Sequence, residues 1–196
     1  MATIVLDRQH IGKPNNPDDL GAYSELSQEH EVHMVGRYLL ETEWTLRSLG
    51  HRVVVLSDGF YSHRHKRANN FFEKESGACI YLAGHLNAGG GEYAALFYDH
   101  RSTMGATAAQ FIGAQLAKLE GLDNTKMIEA QPADWTKHAF NTIDGIYAGR
   151  GCGICLEPFF IDAKKHSHLM SDEGLELVGH AIAVGVDAWI SSSERG

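Results

Sequence analysis

At 196 residues the chain has the length of one domain with a substantial core. Its formal net charge of −8 argues against a nucleic-acid binder, which carries a basic face, and gives no reason to dock on anionic membranes. No apolar stretch approaches the ~20 residues of a membrane-spanning helix, so no membrane insertion is expected.

In chain order, residues 2–7 read as a first buried strand. No basic, apolar leader precedes it, and the expectation is a monomer made in the cytoplasm that needs outside help for any export. Arg8 to Gly12 follow as a loop, and Lys13 to Asp19 are rich in Pro, Asn and Asp, a loop by composition. The spacing of Val32, Val35, Leu39, Leu46 and Leu49 predicts a helix over 29–49, stopped at Gly50. Arg52 to Leu56 form a second strand, Ser57 to Lys66 a polar loop, and residues 67–76 a helix. A third strand, 78–83, closes at Gly84-His85. A glycine-rich turn, Asn87 to Gly91, leads into a fourth strand over 93–98 and a helix over 102–119. The weakly patterned stretch 121–146 holds one short strand near Met127. Gly151 to Leu156 form a buried strand ending in Glu157-Pro158. A loop bearing His and Lys residues leads to a final helix over 171–190, capped by Ser171. Alternating strands and helices predict an α/β fold: one layered sheet of five to six mostly parallel strands, helices on both faces. The whole chain, 1–196, reads as a single domain.

Cys152 and Cys155 make a C-x-x-C spacing. Residues three apart in a strand point to opposite faces, and no helix starts at the first cysteine, so buried free thiols are expected, Cys79 included. His30 and His33 lie three apart rather than the four of a zincin helix. Ser62 to Arg67 form a basic stretch too short for nucleic acid and read as a solvated loop. His100, His138 and His180 receive no role.

The chemistry gathers at the ends of apolar runs. His10 follows the first strand, His85 the third, and Glu29 opens the first long helix. In open α/β sheets, sites lie beyond the carboxyl ends of strands, and two imidazoles with a carboxylate make a ligand set suited to catalytic zinc. Glu25 and Glu31 flank Glu29; counting back from the helix stripe selects Glu29. Glu157, a carboxylate at the mouth of a buried strand, is the fourth member.

Taken together, Leu6-Asp7-Arg8-Gln9-His10-Ile11-Gly12, Gly21-Ala22 with Glu29, Arg67-Ala68-Asn69, Leu82-Ala83-Gly84-His85-Leu86-Asn87-Ala88 and Leu156-Glu157-Pro158-Phe159-Phe160 resemble, in order, the motifs of the zinc-dependent N-acetylmuramoyl-L-alanine amidases of the amidase 3 type. Arg8, Gln9 and Ile11 stand where that family has proline and glycine. The resemblance implies that His10, Glu29 and His85 hold one Zn²⁺. It further implies that Glu157 moves the proton of the attacking water, and that the scissile bond joins the lactyl group of N-acetylmuramic acid to L-alanine in peptidoglycan. Co²⁺ or Mn²⁺ would suit the same ligands. Asn87 and the turn after it are candidates to shape a substrate groove, Arg67 to meet peptidoglycan carboxylates, and His166 and His168 to line the cleft. A catalytic domain without export signal or wall-binding module is what a phage endolysin released by a holin would show. Other readings are a bacterial amidase exported by another route, a zinc amidohydrolase or carboxypeptidase for small peptides, and a non-catalytic wall-binding protein of the same fold.

Overall fold

The computed structural model describes residues 1–146 and 151–193. Residues 147–150 and 194–196 lie outside them. Six strands form one sheet: β1 (Thr3–Arg8), β4 (Arg52–Leu56), β5 (Cys79–Gly84), β6 (Ala94–Asp99), β7 (Thr125–Ala130) and β8 (Gly151–Glu157), ordered β4-β1-β5-β8-β6-β7. The first four positions are parallel, β6 runs antiparallel to β8, and β7 runs parallel to β6. The near-continuous apolar runs of β1, β5 and β8 follow from burial on both faces. A two-stranded hairpin, β2 (Tyr23–Ser24) with β3 (Glu29–His30), stands apart from the sheet.

One face of the sheet carries α1 (Glu31–Ser48), α3 (Thr103–Leu116) and α5 (Asp172–Ser193); the other carries α2 (Tyr61–Phe72) and α4 (Lys137–Asn141). On the first face Ile4, Leu6, Ile80, Leu82, Ile154 and Leu156 meet Val35, Leu39, Ile112 and Val178. On the second, Val5, Tyr81, Phe97 and Cys155 meet Phe72, Ala139 and Phe140. The long α5 nests between α1 and α3 because two of its contact positions lack a side chain. A β-carbon at Gly179 would lie 2.3 Å from the Tyr38 carbonyl oxygen, and one at Gly185 would lie 2.5 Å from Ile112 Cα. Among the described residues no helix is long and apolar enough to cross a membrane.

Cys152 lies in the first core and Cys155 in the second, as the strand period requires, and the three cysteines are buried and form no disulfide among the described residues. The stretch 57–66 is not the polar loop its composition predicts. Helix α2 starts at Tyr61 and ends at Phe72 rather than running over 67–76, and Arg64 and His65 are buried. An ion pair that the apolar pattern does not reveal pulls the helix onto the sheet: Arg64 donates to the buried carboxylate of Asp7 on β1. The same guanidinium donates to the carbonyls of Gly59 at 2.9 Å, Arg8 at 3.0 Å and Ile11 at 2.5 Å. Tyr81 and Gln9 also donate to Asp7, so this buried pair is fully bonded, the condition on which burying charge is tolerable.

Candidate active site

Beyond the carboxyl ends of β1 and β5, three side chains meet. His10 Nε2 lies 3.0 Å from Glu31 Oε1 and 3.1 Å from His85 Nδ1, and His85 Nδ1 lies 3.2 Å from the same carboxylate oxygen. These residues form a group able to hold a metal ion. His85 is set by the sheet: its N–H donates to the Leu156 carbonyl at 2.9 Å, and Tyr38 on α1 donates to its carbonyl at 3.1 Å. His10 follows β1 in the left-handed region at φ 63°, uncommon for a residue other than glycine and frequent where a site over-determines the backbone. Its Nδ1 faces Asp19 Oδ1 at 3.0 Å, and Asp19 is itself held by Lys13 Nζ at 2.8 Å and the Gly21 N–H at 3.1 Å. A carboxylate behind an imidazole fixes which nitrogen faces inward.

The helix stripe selects Glu29 for this group. The structure brings Glu31 there instead, and the reason is the hairpin. Glu29 and His30 pair with Ser24 and Tyr23 as β3, so α1 begins only at Glu31. Glu29 turns outward and accepts from Arg37. The Glu31 carboxylate, buried, accepts in addition from the N–H groups of Leu86 at 2.9 Å and Ala22 at 3.1 Å.

The electrostatics are those of a cation site. Burial opposes the charge on Glu31, but hydrogen bonds and charge from His10 and His85 hold its carboxyl well below the usual carboxylate range. Burial works against protonation of His10, and the neighbouring Glu31 and Asp19 outweigh it, so its pKa is raised. Asp19 is brought down to about 2 against its own desolvation, chiefly by Lys13 and the Gly21 N–H.

The residues fit zinc on two observations. The three ligand atoms form a nearly equilateral triangle with edges of 3.0 to 3.2 Å; tetrahedral ligands about 2.0–2.1 Å from one Zn²⁺ stand roughly 3.4 Å apart. The donor set, two imidazole nitrogens and a carboxylate oxygen, is that of catalytic zinc sites.

Next to this group a groove of about 330 Å³ is lined by Asn87, Tyr93, Trp135, His138, Glu157 and Phe160, among others. Burial, reinforced by repulsion from Glu31, raises the Glu157 carboxyl to about 7, although a hydrogen bond with Asn87 pulls the other way. Asn87 is fixed by its backbone, with N–H to the Phe159 carbonyl at 3.0 Å and carbonyl to the Ile161 N–H at 2.9 Å. His138, given no role from the sequence, lines the groove with its ring centroid 6.1 Å from that of His85. It sits on the short helix α4, whose single turn has too few residues to show a period, and no sequence signal could have singled it out.

Three other candidates lie elsewhere. Arg67 is half-exposed on α2 and bonds Asp58 at 2.6 Å. His166 is fully buried, its Nδ1 accepting the Phe160 N–H at 3.1 Å; it braces the back of the groove and does not line it. His168 faces the Glu120 carbonyl at 3.0 Å.

No family model and no curated protein sequence matches the chain. Solved structures do. N-acetylmuramoyl-L-alanine amidase AmiC2 of Nostoc punctiforme superposes with a TM-score of 0.72 over 96% of this chain and 97% of its own, at 15% identity. The fold is that of the N-acetylmuramoyl-L-alanine amidases. Cwp6 from Clostridium difficile matches with a TM-score of 0.76 at 22% identity, covering 96% of this chain; the chain spans 29% of the length of Cwp6. The catalytic domain of the CD27L endolysin targeting Clostridia Difficile superposes with a TM-score of 0.66 at 18% identity, covering 96% of this chain and 97% of its own.

Proposed function

We propose that the chain is a single catalytic domain over residues 1–196 that hydrolyses the amide between N-acetylmuramic acid and L-alanine in peptidoglycan, with one zinc ion. The observation that carries this reading is the meeting of His10, Glu31 and His85 on three ligand atoms beside a groove lined by Glu157. The likeness of fold to AmiC2 and to the CD27L catalytic domain supports it.

His10 Nε2, His85 Nδ1 and Glu31 Oε1 would hold the ion. Zinc so bound supplies Lewis acidity, polarising a carbonyl and lowering the pKa of water to roughly 7. Glu157 supplies the proton relay: its carboxylate accepts a proton from the attacking water and returns it to the leaving amine. Asn87 holds the Glu157 carboxylate in place through its hydrogen bond, and Asp19 orients His10.

Digestion of purified sacculi tests the reaction. New L-alanine amino groups are expected, without new reducing sugar ends, and a chelator abolishes their release. Reducing ends in place of amino groups would make the chain a glycosidase. Binding to sacculi with no release would make it a wall-binding protein of the same fold. Within the proposed activity we read a lytic, endolysin-type role after release to the wall, supported by the likeness to CD27L. Rapid clearing of whole cells once the membrane is permeabilised is the expected outcome, and digestion confined to isolated sacculi would refute that role.

A further inference from the structure

An indole is among the largest apolar surfaces a chain can bury, yet Trp135 stands 71% exposed at the rim of the groove that holds Glu157. Its position is built. Asp134 Oδ1 accepts from the Thr136 N–H at 2.7 Å and from the Thr136 hydroxyl at 2.5 Å, and that hydroxyl oxygen accepts the Gln131 N–H at 2.8 Å. Below, the indole rests against Phe97, centroids 6.0 Å apart and nearly perpendicular. A second aromatic pair, Tyr93 against Phe160 at 4.9 Å, lines the same groove. Hydrogen-bonding side chains share it with these rings: Asn87, Glu157 and His138.

An apolar plate bordered by polar side chains suits a pyranose ring, which offers a flat C–H face to pack on an aromatic and a rim of hydroxyl and acetamido groups to bond. A rigid aromatic also gives contact area at low conformational cost. We propose that Trp135 is the stacking platform for the hexosamine ring that carries the scissile peptide, making the glycan, and not only the stem peptide, a determinant of substrate choice. The proposal rests on the amidase reading and names the sugar subsite of its groove.

The test uses the full chain with Trp44, the other exposed tryptophan, replaced by phenylalanine. A soluble N-acetylglucosaminyl-N-acetylmuramoyl-pentapeptide and the free pentapeptide are titrated against indole fluorescence in a Glu157→Gln background, which prevents turnover. The glycopeptide is expected to shift the emission and the free peptide to leave it unchanged. Titration calorimetry, which needs no indole, reads the Trp135 variants in the same Glu157→Gln background: Trp135→Ala is expected to weaken glycopeptide binding about tenfold, and Trp135→Tyr to restore most of it. In the active enzyme, Trp135→Ala should raise KM for glycopeptide by a similar factor with kcat nearly unchanged. An equal response to the free pentapeptide, or unchanged glycopeptide affinity in a folded Trp135→Ala protein, overturns the platform. The two readings fail separately. Sacculus hydrolysis with an unchanged KM in Trp135→Ala leaves the amidase standing and removes the platform; a glycan-dependent indole signal with no amine release from sacculi does the reverse.

Discussion

Glu29 and Glu31 are two residues apart, and their carboxylates serve different ends. Glu29 is bound to Arg37 near the surface, whereas Glu31 is buried between two imidazoles. Glu31→Gln is therefore expected to abolish stoichiometric zinc binding, while Glu29→Gln leaves it intact; metal analysis after dialysis decides between them. Glu157 yields a prediction in pH. Its carboxyl titrates at about 7 in the folded protein against an ordinary 4.5. Between those values the folded chain keeps a proton that the unfolded chain has released, so this group's contribution to stability falls as pH rises through that window. In the metal-free protein, Glu157→Gln is expected to be more stable than wild type at pH 8 by up to about 3 kcal/mol, with the difference vanishing below pH 4. Denaturant midpoints at the two pH values measure it. Glu157 and both histidines were legible because each closes an apolar run. Glu31 was not, because a short hairpin, Tyr23–Ser24 with Glu29–His30, displaces the helix start and leaves no mark on the hydrophobic stripe.

At the scale of elements, the strands could be read where they are buried on both faces, as continuous apolar runs. Strand direction could not: nothing in Ala94–Asp99 says that it runs antiparallel to β8. Helix α2 was misplaced for a related reason. What seats it is the Arg64–Asp7 pair, and a charged residue in a sequence is read by default as solvated. Removing one partner strands the other charge in the core, so Arg64→Leu is expected to cost about 3–5 kcal/mol. Asp7→Asn with Arg64→Leu together should cost less than the sum of the two, a coupling that urea titration of the four proteins in a double-mutant cycle reads directly.

For the whole molecule, an ion held as proposed, by groups from the β1 loop, α1 and the residue after β5, would bind only the folded state. At zinc a thousandfold above its dissociation constant the stabilisation is about 4 kcal/mol. For a chain of this length, chelation should then lower the melting temperature by roughly 10 °C. A melting temperature indifferent to chelator would speak against a resident ion. The guanidinium of Arg64 has a wider reach than its ion pair. It grasps the carbonyls of Arg8 and Ile11, the residues two before and one after His10, while belonging to a helix on the far side of the sheet. The stiffness of the cation's cradle is thus governed from beneath, by a group that touches none of its ligands. Loosening that anchor, as Arg64→Lys would by giving up the forked geometry, should show first as faster escape of the ion, before any change in the chemistry above it.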